Sequence, residues 1–315
     1  KAEGAMCALL RQAFNPNLVQ TIEHVPAFVH GGPFANIAHG CSSLMATKLA
    51  LKLADIVVTE AGFGAELGAE KFFDIKCRIG GLKPSACVLV ATLRALRHHG
   101  GADDVKRPDL AAVKRGFCNL EKQIGNVLSF GVPLVVAINS FENDSQKEVE
   151  WVKSMCEQRG VSCETTAVYE HGGVGGQELA KAVLEAVSSE NNFRPLYDLD
   201  EGVEDKITKI AKTLYGAGEV VFTENAKADI RVIEEKKQSH LPVCVSKTQK
   251  SLSDDPLLLG APKGFRLTVT GLKLQAGAGF IVVYTGKIIT MPGLPEKPGA
   301  ESIDVDGEGV IHGLF

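Results

Sequence analysis

Three short apolar runs, at residues 56–59, 87–92 and 133–138, each break into a glycine or polar turn and then into residues at helical spacing. Continuous apolar strands of this kind are buried on both faces. Their alternation with helices predicts an α/β fold built on a largely parallel sheet flanked by helices. In such folds ligands bind outside the carboxyl ends of the strands. The residues that follow the runs are therefore the first place to look: Glu60, Gly62, Phe63 and Gly64 after the first, Arg94 after the second, and Asn139, Ser140 and Phe141 after the third.

Apolar spacing predicts helices over 42–53, 110–127, 144–159, 177–188 and 203–215. Past about residue 219 the runs at 242–246, 265–270 and 280–284 read as strands between glycine and proline turns, a smaller β-rich C-terminal region. This gives an expected division into residues 1–125, a second α/β domain over 126–215, and 216–315. Residues 191–195 are the best linker candidate. Thirty-eight acidic against 34 basic residues provide no cationic field, so neither nucleic acid nor an anionic membrane is an expected partner. The absence of a long apolar run and of a signal-peptide pattern points to a cytoplasmic protein. Eight cysteines without a CxxC pair read as free thiols rather than a disulfide or zinc framework. The chain opens on Lys1, which suggests a fragment.

Thirty-three glycines against one tryptophan and four tyrosines indicate a protein that uses bare backbone at its turns. Gly62, Gly64 and Gly68 follow a predicted strand, where backbone N–H groups could approach a phosphate. Their spacing is one residue off the dinucleotide fingerprint, so that signal is weak and a tight strand-to-helix turn is the simpler reading. A GxxxxGK[ST] phosphate loop is absent from the 315 residues. His39 could hold phosphate, move a proton, or cap a helix. Glu60, ending a buried strand, needs either a partner or a ligand. Lys247 could present a cation to an anion, or its segment could begin a helix with ordinary caps. The adjacent His98 and His99 do not share a helical face, which argues against a metal pair. Phe141, and Tyr169 ahead of the glycines at 172–176, could sandwich a flat heterocycle or simply pack in the core.

Several long segments carry a resemblance. Residues 32–40 (GPFANIAHG), 57–73 (VVTEAGFGAELGAEKFF) and 90–101 (VATLRALRHHGG), together with Lys247-Thr248-Gln249, Ser253-Asp254-Asp255-Pro256, residues 290–295 (TMPGLP) and the terminal Gly313-Leu314-Phe315, resemble the C-terminal part of the formate–tetrahydrofolate ligase family. The likeness spans essentially the whole chain. It implies a P-loop-type sheet whose phosphate loop lies upstream of these residues, and an ATP-dependent ligation of formate to tetrahydrofolate through formyl phosphate. It also implies Mg²⁺ with ATP, a monovalent cation (K⁺ or NH₄⁺) and a homotetramer. Matched by motif, Phe141 and Tyr169 take the positions of the pterin-stacking aromatics, with tyrosine where tryptophan is frequent. Glu60, Gly62, Phe63 and Gly64 would line the nucleotide side, and Asn36, His39 and Lys247 would lie near the anionic intermediate. The alternative is a folate- or nucleotide-binding module without ligase activity.

Overall fold

A computed structural model describes residues 2–286, 297–298, 301–308 and 310–313. The resembling segment 290–295, Leu314 and Phe315 lie outside the described residues. The chain begins with helix α1 (Glu3–Leu10), a hairpin of β1 (Asn17–Gln20) and β2 (Pro26–Val29), and α2 (Leu44–Leu53). Next come α3 (Gly68–Lys71), a π-helical stretch Phe72–Cys77, and α4 (Arg78–Gly80). Strand β3 (Cys87–Ala91) leads into α5 (Leu93–His99) and α6 (Leu110–Leu128), β4 (Leu134–Asn139) into α7 (Gln146–Glu157), and β5 (Ser162–Thr166) into α8 (Val168–His171) and α9 (Gln177–Val187). After α10 (Val203–Ile210) and a second π-helical stretch, Ala211–Tyr215, come β6 (Glu219–Phe222), α11 (Glu224–Glu235), β7 (Val243–Ser246), β8 (Arg266–Gln275) and β9 (Phe280–Thr285).

Strands β3, β4 and β5 form a parallel sheet in that order, in register Val88 to Val135 and Val136 to Cys163. The second sheet runs β6-β8-β9-β7 and is mixed: β6 with β8 and β7 with β9 are parallel, β8 with β9 antiparallel. One apolar cluster, from Phe73, Phe117 and Phe130 to Tyr215, Val245 and Ile281, runs through both sheets. The boundary expected at 125/126 falls within α6. The expected linker 191–195 is tied down: Asn192 N–H donates to Gly131 O at 3.0 Å and Arg194 N–H to Phe130 O at 2.9 Å.

The expected strand at 56–59 is not formed. Ile56 is 67% and Val58 90% exposed, with no ladder partner among the described residues. A buried parallel strand needs hydrogen-bonded neighbours and covered faces, and the described chain supplies neither at this position. The same deficit shows at β3, whose only partner among the described residues is β4 and whose Val90 is 63% exposed. Strand β5 escaped the apolar-run criterion because its sequence, SCETT, is mostly polar, with only Cys163 and Thr166 buried.

Helix α6 shows how local sequence fixes the packing. Asp109 caps it, its Oδ1 accepting the Ala112 N–H at 2.9 Å. The helix then buries Val113, Gly116, Phe117, Leu120, Ile124 and Val127 at three- and four-residue spacing. It touches α5 through backbone, since a Cβ on Gly116 would stand 1.9 Å from Leu96 O and one on Gly100 1.8 Å from Ala112 O. Gly116→Ala must push α5 and α6 apart. We expect it to cost about 1–3 kcal/mol in urea denaturation, and an unchanged midpoint would contradict this contact.

Candidate functional site

At the carboxyl end of the parallel sheet, three consecutive strands each deliver one side chain able to stack. β3 ends at Ala91, and Thr92 caps α5, its Oγ1 accepting the Ala95 N–H at 3.0 Å, which sets Arg94 in the first helical turn. The Arg94 guanidinium carbon lies 3.6 Å from the centroid of the Phe141 ring, which follows the end of β4. Tyr169, in the short helix after β5, is 94% exposed. The Phe141 N–H donates to Asp144 Oδ2 at 3.0 Å. Asp144 Oδ1 in turn accepts from Arg97 Nη2 at 3.1 Å, and Arg97 also donates to Glu148 Oε2 at 2.5 Å and Oε1 at 3.2 Å. Arg97, Asp144 and Glu148 are buried, or nearly so. The two carboxylates raise the Arg97 pKa against the opposing pull of burial.

A second cluster gathers the glycine-rich segments. The Phe34 and Phe63 rings meet edge to face at 6.0 Å, and Phe63 adopts a φ of +63°, in the left-handed region. A Cβ on Gly68 would lie 1.6 Å from Gly62 O, and one on Gly64 2.2 Å from Glu66 Oε2. Gly62, Gly64 and Gly68 thus let this turn close on itself. The Lys71 ammonium donates to Ala35 O at 2.7 Å and Asn36 O at 3.4 Å, and Asn36 Oδ1 accepts the Lys247 N–H at 3.1 Å. Lys247 Nζ donates to Glu66 Oε1 at 3.3 Å, to Thr248 O at 2.9 Å and to Ser251 O, and sits 5.2 Å from the centre of the Tyr215 ring. Burial lowers its pKa, against the Glu66 charge. All three ammonium hydrogens therefore have internal acceptors, and contact with an anion would require the release of one. The segment after Lys247 is a series of turns and bends, not a helix.

His39, Cys41, Glu60 and Lys76 form the flank of this cluster. Burial first, and the Lys76 charge second, lower the His39 pKa, which favours the neutral ring. Burial pushes the Cys41 thiol up to about 11. Asn36, Lys247, Gly62, Phe63 and Gly64 thus come together, with His39 and Glu60 beside them, while Phe141 and Tyr169 lie at the ends of the other sheet. Sequence reasoning gave no role to Glu66 and Lys71, whose signal is that they are charged residues, with Glu70 between them, inside a largely apolar and glycine-rich stretch. It placed Arg94 only generally, among the strand-end residues, and gave no role to Arg97, whose signal is its i,i+3 spacing from Arg94. His99 is structural, its Nδ1 accepting the Gly260 N–H at 3.1 Å.

Asp74, in the π-helical stretch, accepts the Leu196 N–H at 2.8 Å and faces Arg78 at 3.5 Å, yet burial pushes its carboxyl up to about 7. Between about pH 4 and 7 the native state holds a proton that the unfolded chain releases. The contribution to stability is complete below about pH 4 and falls as pH rises toward 7. Denaturant midpoints measured across that interval should decline less steeply in Asp74→Asn than in the parent, and parallel curves would refute the shift.

A mixed α/β protein with Phe141, Tyr169 and Arg94 after the carboxyl ends of parallel strands carries its side chains where ligands bind in open α/β sheets. The sequence matches the family model described as formate–tetrahydrofolate ligase over residues 1–315. It is 54% identical, over 318 aligned residues, to the formate–tetrahydrofolate ligase of Symbiobacterium thermophilum. The chain thus belongs to the formate–tetrahydrofolate ligase family. The alignment takes in 100% of this chain and 57% of that relative, so the chain spans little more than half the relative's length.

Proposed function

We propose that this chain carries the tetrahydrofolate-binding face of an ATP-dependent ligase that joins formate to tetrahydrofolate through formyl phosphate, giving 10-formyltetrahydrofolate. The observation that supports it is that Phe141 and Tyr169 each follow the carboxyl end of one of two neighbouring parallel strands, β4 and β5, within a member of this family. The chemistry is economical. Formate is a poor acyl donor. Transfer of the ATP γ-phosphoryl group to a formate oxygen releases ADP and gives formyl phosphate. N10 of tetrahydrofolate attacks its formyl carbon, the C–O bond to phosphate breaks, and the amine proton is lost to solvent. Asn36, Lys247 and His39 are the residues proposed near the anionic intermediate, with Glu60, Gly62, Phe63 and Gly64 on the nucleotide side.

Mg²⁺ and a monovalent cation (K⁺ or NH₄⁺) belong to this reading, and we assign neither to a residue. The phosphate-loop motif is not among the 315 residues, and no group of three or more His, Cys, Asp or Glu among the described residues is placed to hold a metal. The reading extends to a cytoplasmic homotetramer. No helix among the described residues is long and apolar enough to cross a membrane. The open edge of β3 and the uncovered residues 56–58 are where further sheet of a longer ligase would pack.

The native gene product should turn ATP over to ADP when formate and tetrahydrofolate are both supplied, and the absence of that turnover would overturn the ligase reading. Binding of tetrahydrofolate without such turnover would instead favour a binding module. In the active enzyme Phe141→Ala should raise the tetrahydrofolate KM several-fold, as expected for a loss of about 1 kcal/mol of stacking. An unchanged KM would remove Phe141 from the site.

A further inference from the structure

The Arg94 guanidinium has no counter-ion among the described residues. Among the described residues it makes no hydrogen bond or ion pair, and its single recorded partner is the face of Phe141, 3.6 Å away. It sits in the first turn of α5, the end of a helix at which positive charge is unfavourable. Helix stability therefore does not explain an arginine here. Solvation alone does not either, because the side chain is half-buried against a ring.

The strand order supplies the missing geometry. Arg94 follows β3, Phe141 follows the central strand β4 and Tyr169 follows β5, so Phe141 is carried by the strand between those that lead to Arg94 and Tyr169. We infer that Arg94 is the positioning residue of the stacking platform. Its guanidinium backs Phe141 from the β3 side and leaves the opposite face, toward Tyr169, for an electron-rich reduced pteridine ring. This deepens the proposed function and rests on it.

Two physical effects make the backing useful. A cation on one face draws ring electron density toward itself, so the free face repels an electron-rich heterocycle less. The planar guanidinium also holds the ring in one orientation, which an ammonium on a flexible stem does not do equally well. The backbone is fixed by the same helix. Arg97, one turn on from Arg94, holds Asp144, and Asp144 holds the Phe141 N–H, so α5 sets both the loop and the ring it carries. Arg94 touches no reacting atom in this arrangement. It acts through Phe141, and the effect belongs on tetrahydrofolate binding rather than on the chemical step.

The test is a double-mutant cycle in the native enzyme with Arg94→Met, Phe141→Ala and the pair, reading tetrahydrofolate Kd by calorimetry and steady-state KM and kcat. Arg94→Met should weaken tetrahydrofolate binding roughly 3- to 10-fold and raise its KM alike. The kcat and the KM values for ATP and formate should stay near the parent's, and Arg94→Lys should restore only part of the affinity. In the Phe141→Ala background the Arg94 change should have no further effect. An unchanged Kd in Arg94→Met, or an equal loss with and without Phe141, overturns the inference while the folate reading stands. A parent enzyme that binds no tetrahydrofolate at all overturns the folate reading itself.

Discussion

Replacing Lys247 by methionine is expected to lower the unfolding free energy by about 3–5 kcal/mol. The ammonium is fully buried and pairs with Glu66, whose side chain is almost as well hidden. Removing the cation leaves a carboxylate whose remaining donor among the described residues is Gln123 Nε2, at 2.6 Å. It also strips Thr248 O and Ser251 O of their donor. A buried carboxylate with half its compensation gone must either bear the desolvation or take up a proton, and both destabilise the native state at neutral pH. The pair is the source of the effect, so Glu66→Gln combined with Lys247→Met should recover part of the loss in urea denaturation. A single variant within about 1 kcal/mol of the parent, or a double variant as weak as the single, would show that Lys247 is not held as described. Kinetics separate this structural work from catalysis: if the folded fraction of Lys247→Met turns over like the parent, the ammonium is a scaffold for the 248–251 turn and no more.

The elements that sequence made legible are those whose signal is local. The apolar runs at β3 and β4 and the periodic helix α6 came out within a residue or two, because burial on both faces or on one stripe is written into consecutive side chains. Residues 56–59 carry the same signal and failed, since a parallel strand is made by its neighbours and those are not among the described residues. Strand β5 failed the opposite way: SCETT has no apolar run, and its hydrogen bonds to β4 create it. At the site, Phe141 and Tyr169 could be named by motif and by strand ends. Their relation to Arg94 could not, because α5 meets the Phe141 loop only through the order of strands in the sheet. The glycine turn was ambiguous on spacing. Its glycines are required by their own turn, as the 1.6 Å approach of a Gly68 Cβ to Gly62 O demonstrates.

Arg97→Met is expected to be as damaging as the loss of Lys247, about 3–5 kcal/mol, and to carry a second consequence that Lys247 does not. Arg97 is the cation for both Glu148 and Asp144, and it also donates to Val105 O at 3.0 Å. Those carboxylates have structural duties. Glu148 Oε1 accepts the Asp109 N–H at 2.7 Å, just before α6, and Glu148 Oε2 faces the Ser145 N–H at 3.4 Å at the start of α7. One guanidinium thus neutralises the groups that organise two helix starts and the loop between β4 and α7. Arg97→Lys keeps the charge but not the fork, so it should retain part of the stability, in the order parent, lysine, methionine. Asp144 without its partner is freer to turn to water and release the Phe141 N–H. Arg97→Lys should therefore also raise the tetrahydrofolate KM in the folded enzyme, with a smaller change in kcat. Equal stability of the lysine variant and the parent would mean that bidentate geometry contributes nothing here. A stability loss in Arg97→Lys without any change in KM would mean that the Phe141 loop is held by its own turn rather than by α5.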